Sequence, residues 1–170
     1  MQENSYPKTV KLSWKTKRVK KDSKYVVLLS TDPEMKRAKK YSADGKSIEL
    51  DNLMTGTQYY WQVYVKGNKK IISPVNKFRT KKGFRTLRVP GVSNFRDFGG
   101  KKVKGGVIKQ GLIYRSAKME NITQEGRKIA LKDLKIKTEF DLRKPGTVFG
   151  EEATMKQSPI GSKVRYVNLS

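Results

Sequence analysis

Arg115, Asp141 and Arg143 are side chains whose type and spacing could do chemistry, together with the run Asn94-Phe95-Arg96-Asp97-Phe98-Gly99-Gly100. Arg115-Ser116 and Asp141-Leu142-Arg143 each close an apolar, β-rich segment. Polar residues at the carboxyl ends of strands in an open α/β sheet face the ligand crevice. Carboxylate and guanidinium groups also tie turns and strand ends together by charge-assisted hydrogen bonds. Residue type alone leaves both roles open for Arg115, Asp141 and Arg143. Asn94, Arg96, Asp97, Gly99 and Gly100 read first as a structural motif, because a Gly-Gly pair closes a tight turn without steric penalty.

What the chain lacks restricts it more. It has no Cys and no His. These residues therefore hold no disulfide, no thiolate nucleophile, no His general base and none of the common zinc-ligand sets. No metal and no cofactor is expected from them.

The elements that must position these side chains fall into two groups. Up to Lys82 the pattern is short strands. Val10, Leu12 and Trp14 alternate, Tyr25–Leu29 is a β-rich run, Ile48 and Leu50 alternate, and Tyr59, Trp61, Val63 and Val65 form the longest alternating face. Asp32-Pro33 and Asp44-Gly45 are turn signals around a short edge strand near 38–41, and the basic segment 15–24 reads as an exposed loop. A last strand is expected over 71–80, with Pro74 at an edge or a bulge. Turns at such intervals point to a β-sandwich. Leu53-Met54-Thr55-Gly56-Thr57-Gln58-Tyr59 has the form of a tyrosine corner, and with Trp14 the segment 5–82 resembles a fibronectin type III domain. The inward phase of Trp14, Tyr59 and Trp61 assigns them to the core.

After Lys81-Lys82-Gly83, residues 84–90 read as an extended connector ahead of the motif. Lys101 to Gly106 predicts a hairpin turn, and Val107 to Ser116 a strand broken by Gly111. Thr123 can cap a helix reaching about Leu134, with Ile122, Gly126, Ile129, Ala130 and Leu134 on one face. Strands are expected over 134–143 and 163–169, an order that suggests a parallel sheet. The expected fold class is thus α+β in two domains, a sandwich over 1–82 and the front part of an α/β domain over 83–170.

Asn94-Phe95-Arg96-Asp97-Phe98-Gly99-Gly100, Gly111-Leu112-Ile113-Tyr114-Arg115-Ser116-Ala117 and Leu134 to Arg143, in this order and spacing, resemble the N-terminal half of the bacterial tyrosine-phosphatase family. That family also includes tyrosine/lipid phosphatases. The resemblance implies hydrolysis of phosphate monoesters through a cysteinyl-phosphate, with a His-Cys loop and an Arg that grips the phosphate. It implies phosphorylated protein or lipid substrates, and it places Arg143, Asp141 and Arg115 as candidates lining the phosphate crevice. No Cys-x5-Arg can be written in this chain. No catalytic residue is therefore assigned within it, and the 170 residues alone are expected to be inactive. The nucleophile is expected beyond Ser170, in a family domain needing on the order of another 100 residues. A sheet cut at this point would expose an apolar face and a free edge, so association with the missing half or with itself is expected.

The formal charge is +24, with 20 basic and 7 acidic residues up to Lys82 and 19 and 8 after it. An excess so evenly spread fits a solvated lysine-rich surface, or an anionic polymer as partner. The alternative function is accordingly a non-catalytic binding or adhesion module with a basic surface. No apolar run is long enough for a spanning helix, and residues 1–20 lack the core of a signal peptide. Fibronectin-type domains occur often in exported proteins, which favours an exported or periplasmic location with any leader already removed.

Overall fold

The computed structural model describes residues 9–16, 19, 22–143, 147–148, 151–152 and 156–169, with the backbone alone at 69–72, 147–148 and 151–152. Parts of the basic segment 15–24 lie outside the described residues. Among the described residues the regular structure is mostly β, with one short α-helix.

Among the described residues the first half has seven strands: β1 (Val10–Ser13), β2 (Tyr25–Ser30), β3 (Lys39–Ala43), β4 (Ser47–Leu50), β5 (Gln58–Val65), β6 (Asn68–Ile72) and β7 (Asn76–Arg79). β1 pairs antiparallel with β4, while β3, β2 and β5 form a second sheet whose far edge is shared by β6 and β7. Period-two patterning fixes which face is apolar. Leu12 and Leu50 of the first sheet meet Tyr25, Val27, Leu29, Ala43, Tyr59 and Val63 of the second in one buried cluster. Trp14, Trp61 and Phe78 pack against it, with Trp14 edge-on to Tyr25 and Phe78 stacked on Tyr59. The Tyr59 hydroxyl accepts a hydrogen bond from the Met54 N–H at 2.9 Å, the backbone tie expected of that residue. The single last strand expected over 71–80 is instead two strands on β5. Pro74 has no N–H to give the ladder, so pairing stops after Ser73 N–H reaches the Val63 carbonyl and resumes at Asn76.

The second half continues with β8 (Arg96–Asp97), β9 (Lys102–Val103), β10 (Gly106–Val107), β11 (Tyr114–Arg115), α1 (Gln124–Lys128), β12 (Thr138–Asp141), β13 (Thr147–Val148), β14 (Glu151–Glu152) and β15 (Arg165–Asn168). Its core is a separate cluster of Leu87, Val89, Phe95, Ile122, Ala130, Leu134, Ile160 and Val164. Residues 84–90 are more than a connector. Thr86 pairs antiparallel with Arg96, the Leu87 N–H donates to the Phe95 carbonyl, and Leu87 and Val89 are buried. The physical cause is Leu87 and Val89 themselves, two apolar side chains that need a core.

Thr123 caps α1 as expected, its Oγ1 accepting from Gly126 N–H at 3.1 Å. The helix runs on as a π-helical turn over Ile129–Asp133 and ends at Leu134. Gly126 and Ala130 face the core. The strand expected over 107–116 is reduced to β10 and β11, separated at Gly111, whose φ is +85°. β11 pairs antiparallel with β8 and stays out of the parallel sheet. β12 and β15 are parallel, with Thr138 opposite Arg165 and Asp141 opposite Asn168. Both are shorter than the expected 134–143 and 163–169, because hydrogen-bonded pairing begins only where the two segments run side by side.

Candidate functional site

The motif at 94–100 is organised by a buried carboxylate. The Asp97 side chain is fully buried, and both its oxygens are used. Oδ1 accepts from Gly99 N–H at 2.7 Å, and Oδ2 accepts from Gly111 N–H and from Arg85 Nη1, each at 2.7 Å. The remaining Arg85 donors reach the Leu53 and Asn52 carbonyls. Asp97 therefore pins two glycine turns and, through Arg85, the turn ahead of β5. Gly99 lies against Gln110 so closely that a Cβ would stand 2.3 Å from its Cα. Asn94 adopts φ +53° in the turn, a region Asn tolerates better than most residues. Arg96 is exposed and plays no part in this network.

The second constellation sits at the carboxyl ends of β12 and β15. Arg143 donates from Nε to Asp141 Oδ1 at 2.9 Å and from Nη2 to Oδ2 at 2.6 Å, a bidentate fork. Its Nη1 pairs with Glu120 Oε1, just ahead of α1. The Tyr166 hydroxyl donates to Asp141 Oδ2 at 2.7 Å, and Asn168 Nδ2 bridges the Asp141 and Arg143 carbonyls. The Asp141 carboxyl is held down at about 2, first by the hydrogen bonds from Arg143 and against the opposing effect of burial. The same pairing raises the Arg143 guanidinium further above its already high value. One layer away, burial pushes the Glu139 carboxyl up, partly offset by the Ser158 hydroxyl that donates to it at 2.6 Å. Chemically this is a fixed, ionised carboxylate beside a cation at the end of two parallel strands. Asp141 stays charged at neutral pH and is a poor proton donor there.

Of the side chains singled out from sequence, the fold brings Asp141 and Arg143 into contact and sets Arg115 elsewhere. Arg115 is exposed on β11, opposite Arg96 of β8. Arg85, Glu120, Tyr166 and Asn168 carry much of the bonding and were not picked out from sequence. Tyr166 and Asn168 had one available signal, their position in a strand able to pair with Thr138–Asp141. Arg85 had none, because its partner is set by long-range pairing. Among the described residues no group of three or more His, Cys, Asp or Glu is placed to hold a metal ion. Nor is any helix there long and apolar enough to cross a membrane.

A comparison with curated proteins gives no match. Residues 87–170, from the first core leucine of the second half through both strands of the parallel pair, match the model of the tyrosine phosphatase family, and this supports a phosphatase-type function for that half of the chain.

Proposed function

We propose that the chain is the front portion of a protein-tyrosine or dual-specificity phosphatase, with a fibronectin type III-like β-sandwich over 1–82 and the start of the phosphatase domain over 83–170. The observation that carries this reading is the family match over 87–170. The sandwich is supported by the strand order β3-β2-β5 facing β1-β4 and by the Tyr59–Met54 tie. In the proposed reaction a cysteine thiolate attacks phosphorus, the alcohol leaves with a proton from an acid, and water then cleaves the cysteinyl phosphate. None of these 170 residues is a Cys, so the thiolate comes from a segment outside them. Asp141 and Arg143 border the crevice and brace it. With its guanidinium shared between two carboxylates, Arg143 orients the strand end and does not grip phosphate itself. Phe140, Leu142 and Leu169, more than half exposed beside the parallel pair, support association with the rest of the domain or with another copy.

The test has two arms. The purified 170-residue chain is expected to release no p-nitrophenol from p-nitrophenyl phosphate above buffer, and turnover that survives a thiol-blocking reagent overturns the assignment. The reading frame downstream of Ser170 is expected to encode a His-Cys pair with an Arg six residues after the Cys. A stop codon directly after Ser170 overturns the reading.

A further inference from the structure

Three extended segments, 84–87, 95–98 and 113–115, lie side by side. Asp97 N–H donates to the Arg85 carbonyl, Thr86 bridges Arg96, and Tyr114 and Arg115 face Asp97 and Arg96. Phe98 N–H donates to the Ile113 carbonyl, which carries the pairing one step further. Directly opposed residues share a face, and successive residues alternate. Arg85, Leu87, Phe95, Asp97 and Tyr114 point inward, and all but the half-buried Tyr114 are buried. The outward face consequently carries Phe84, Phe98 and Ile113 with Arg96 and Arg115. Phe84 is 75 % exposed and Ile113 61 %. Lys101 lies over both rings, 5.7 Å from the Phe84 centroid and 5.3 Å from that of Phe98. These side chains therefore form one continuous patch.

Along the sequence, the charge flanking this patch is almost all of one sign. Between Lys81 and Lys118 the sequence has eleven Lys and Arg and one carboxylate, Asp97, which is buried against Arg85. A folded protein has no solubility reason to expose two aromatic rings and an isoleucine in one place, and such a patch marks an interaction site.

We propose that this face docks on an anionic lipid bilayer, with Phe84, Phe98 and Ile113 entering the interfacial region and Arg96, Arg115 and Lys101 meeting the headgroup phosphates. Binding of this kind scales with the buried apolar area together with attraction to anionic lipid. Nucleic acid is the other polyanion to consider, and it would use the rings for base stacking. The exposed apolar side chains, however, include aliphatic Ile113 and Leu112, and the hairpin exposes Val103 and Val107. Aliphatic side chains suit acyl chains and give a base little to stack on. The site requires no phosphate hydrolysis, so loss of lipid binding and loss of the phosphatase reading are told apart by separate measurements.

The test is sedimentation of the full chain with vesicles of phosphatidylcholine alone or containing about one-third phosphatidylserine. Binding is expected only with phosphatidylserine, and Phe84→Ser combined with Ile113→Ser should weaken it at least about tenfold. Arg96→Glu with Arg115→Glu should abolish it. All four positions are exposed on the outer face, and far-UV circular dichroism verifies folding. Because the chain has no Cys, Lys104→Cys takes a single environment-sensitive fluorophore, whose emission should shift to the blue on vesicles. Absent binding, or binding undiminished by the Phe84/Ile113 double variant, overturns the proposal. So does displacement of the chain from vesicles by a short oligothymidine that binds it more tightly.

Discussion

Arg85 and Asp97 form a buried ion pair at 2.7 Å, and Arg85 at the same time holds two backbone carbonyls of the other half of the chain, at Asn52 and Leu53. Removing one member of such a pair costs more than the pair contributes, since the survivor is left buried and unmatched. Asp97→Ala orphans the Arg85 guanidinium and the N–H groups of Gly99 and Gly111 together. A loss of about 3–5 kcal/mol is expected in urea unfolding. Arg96→Ala, one residue away but exposed, should change stability by less than about 0.5 kcal/mol.

Two side-chain amides act as extra backbone pairs between the halves. Gln110 donates to the Thr55 carbonyl at 2.9 Å and accepts from its N–H at 3.0 Å, and Asn52 makes the same two bonds with Arg88 at 2.9 and 2.7 Å. Asn52→Ala with Gln110→Ala should weaken the coupling of the halves, leaving the Arg85 bonds to the Asn52 and Leu53 carbonyls as the main tie. Both Trp residues, Trp14 and Trp61, lie in the first half. Tryptophan fluorescence and far-UV circular dichroism should therefore give coincident unfolding curves for the parent and separated ones for the double variant.

Gly126 sets helix propensity against packing. In an exposed helix Gly→Ala gains about 1 kcal/mol. Here a Cβ would stand 2.4 Å from the Pro90 carbonyl oxygen, which is backbone and cannot swing aside. Overpacking of this kind costs about 1–3 kcal/mol or more. Gly126→Ala is accordingly expected to lower the thermal midpoint, and a raised midpoint would show that the helix sits further from Pro90.

The strand-end cluster predicts an acid dependence with a definite sign. Asp141 is depressed to about 2 when folded, so its contribution is complete above the unfolded value of about 3.9 and is lost as pH falls through about 2. Glu139 works the other way: its raised folded value favours the native state once protonated, so its cost appears as pH rises. Asp141→Asn should destabilise the chain at pH 7 by a margin that shrinks between about pH 4 and pH 2, read from urea midpoints across that range. A margin independent of pH would mean that the Arg143 pairing contributes nothing through charge.

Local pattern carried much of this protein into the sequence. The alternation of Tyr59, Trp61, Val63 and Val65 specifies β5, because a one-residue slip would turn every apolar side chain to water. Thr123 announces the start of α1, since an N-cap hydroxyl satisfies a donor no helical carbonyl can reach. Asp141-Leu142-Arg143 at a strand end is legible in the same way, and the fork between its charged members spans only two residues. The tertiary structure decided which distant segments meet. Asp97 has Arg96 beside it in the chain, yet neighbours in an extended segment point to opposite faces, so its cation had to come from another strand. Phe84, assigned to a connector by its sequence, became part of an outward apolar face only once 84–87 paired with 95–98. Strand pairing depends on which arrangement buries the most apolar surface over the whole chain. Residue types mark which side chains can bond, and that global balance settles their partners.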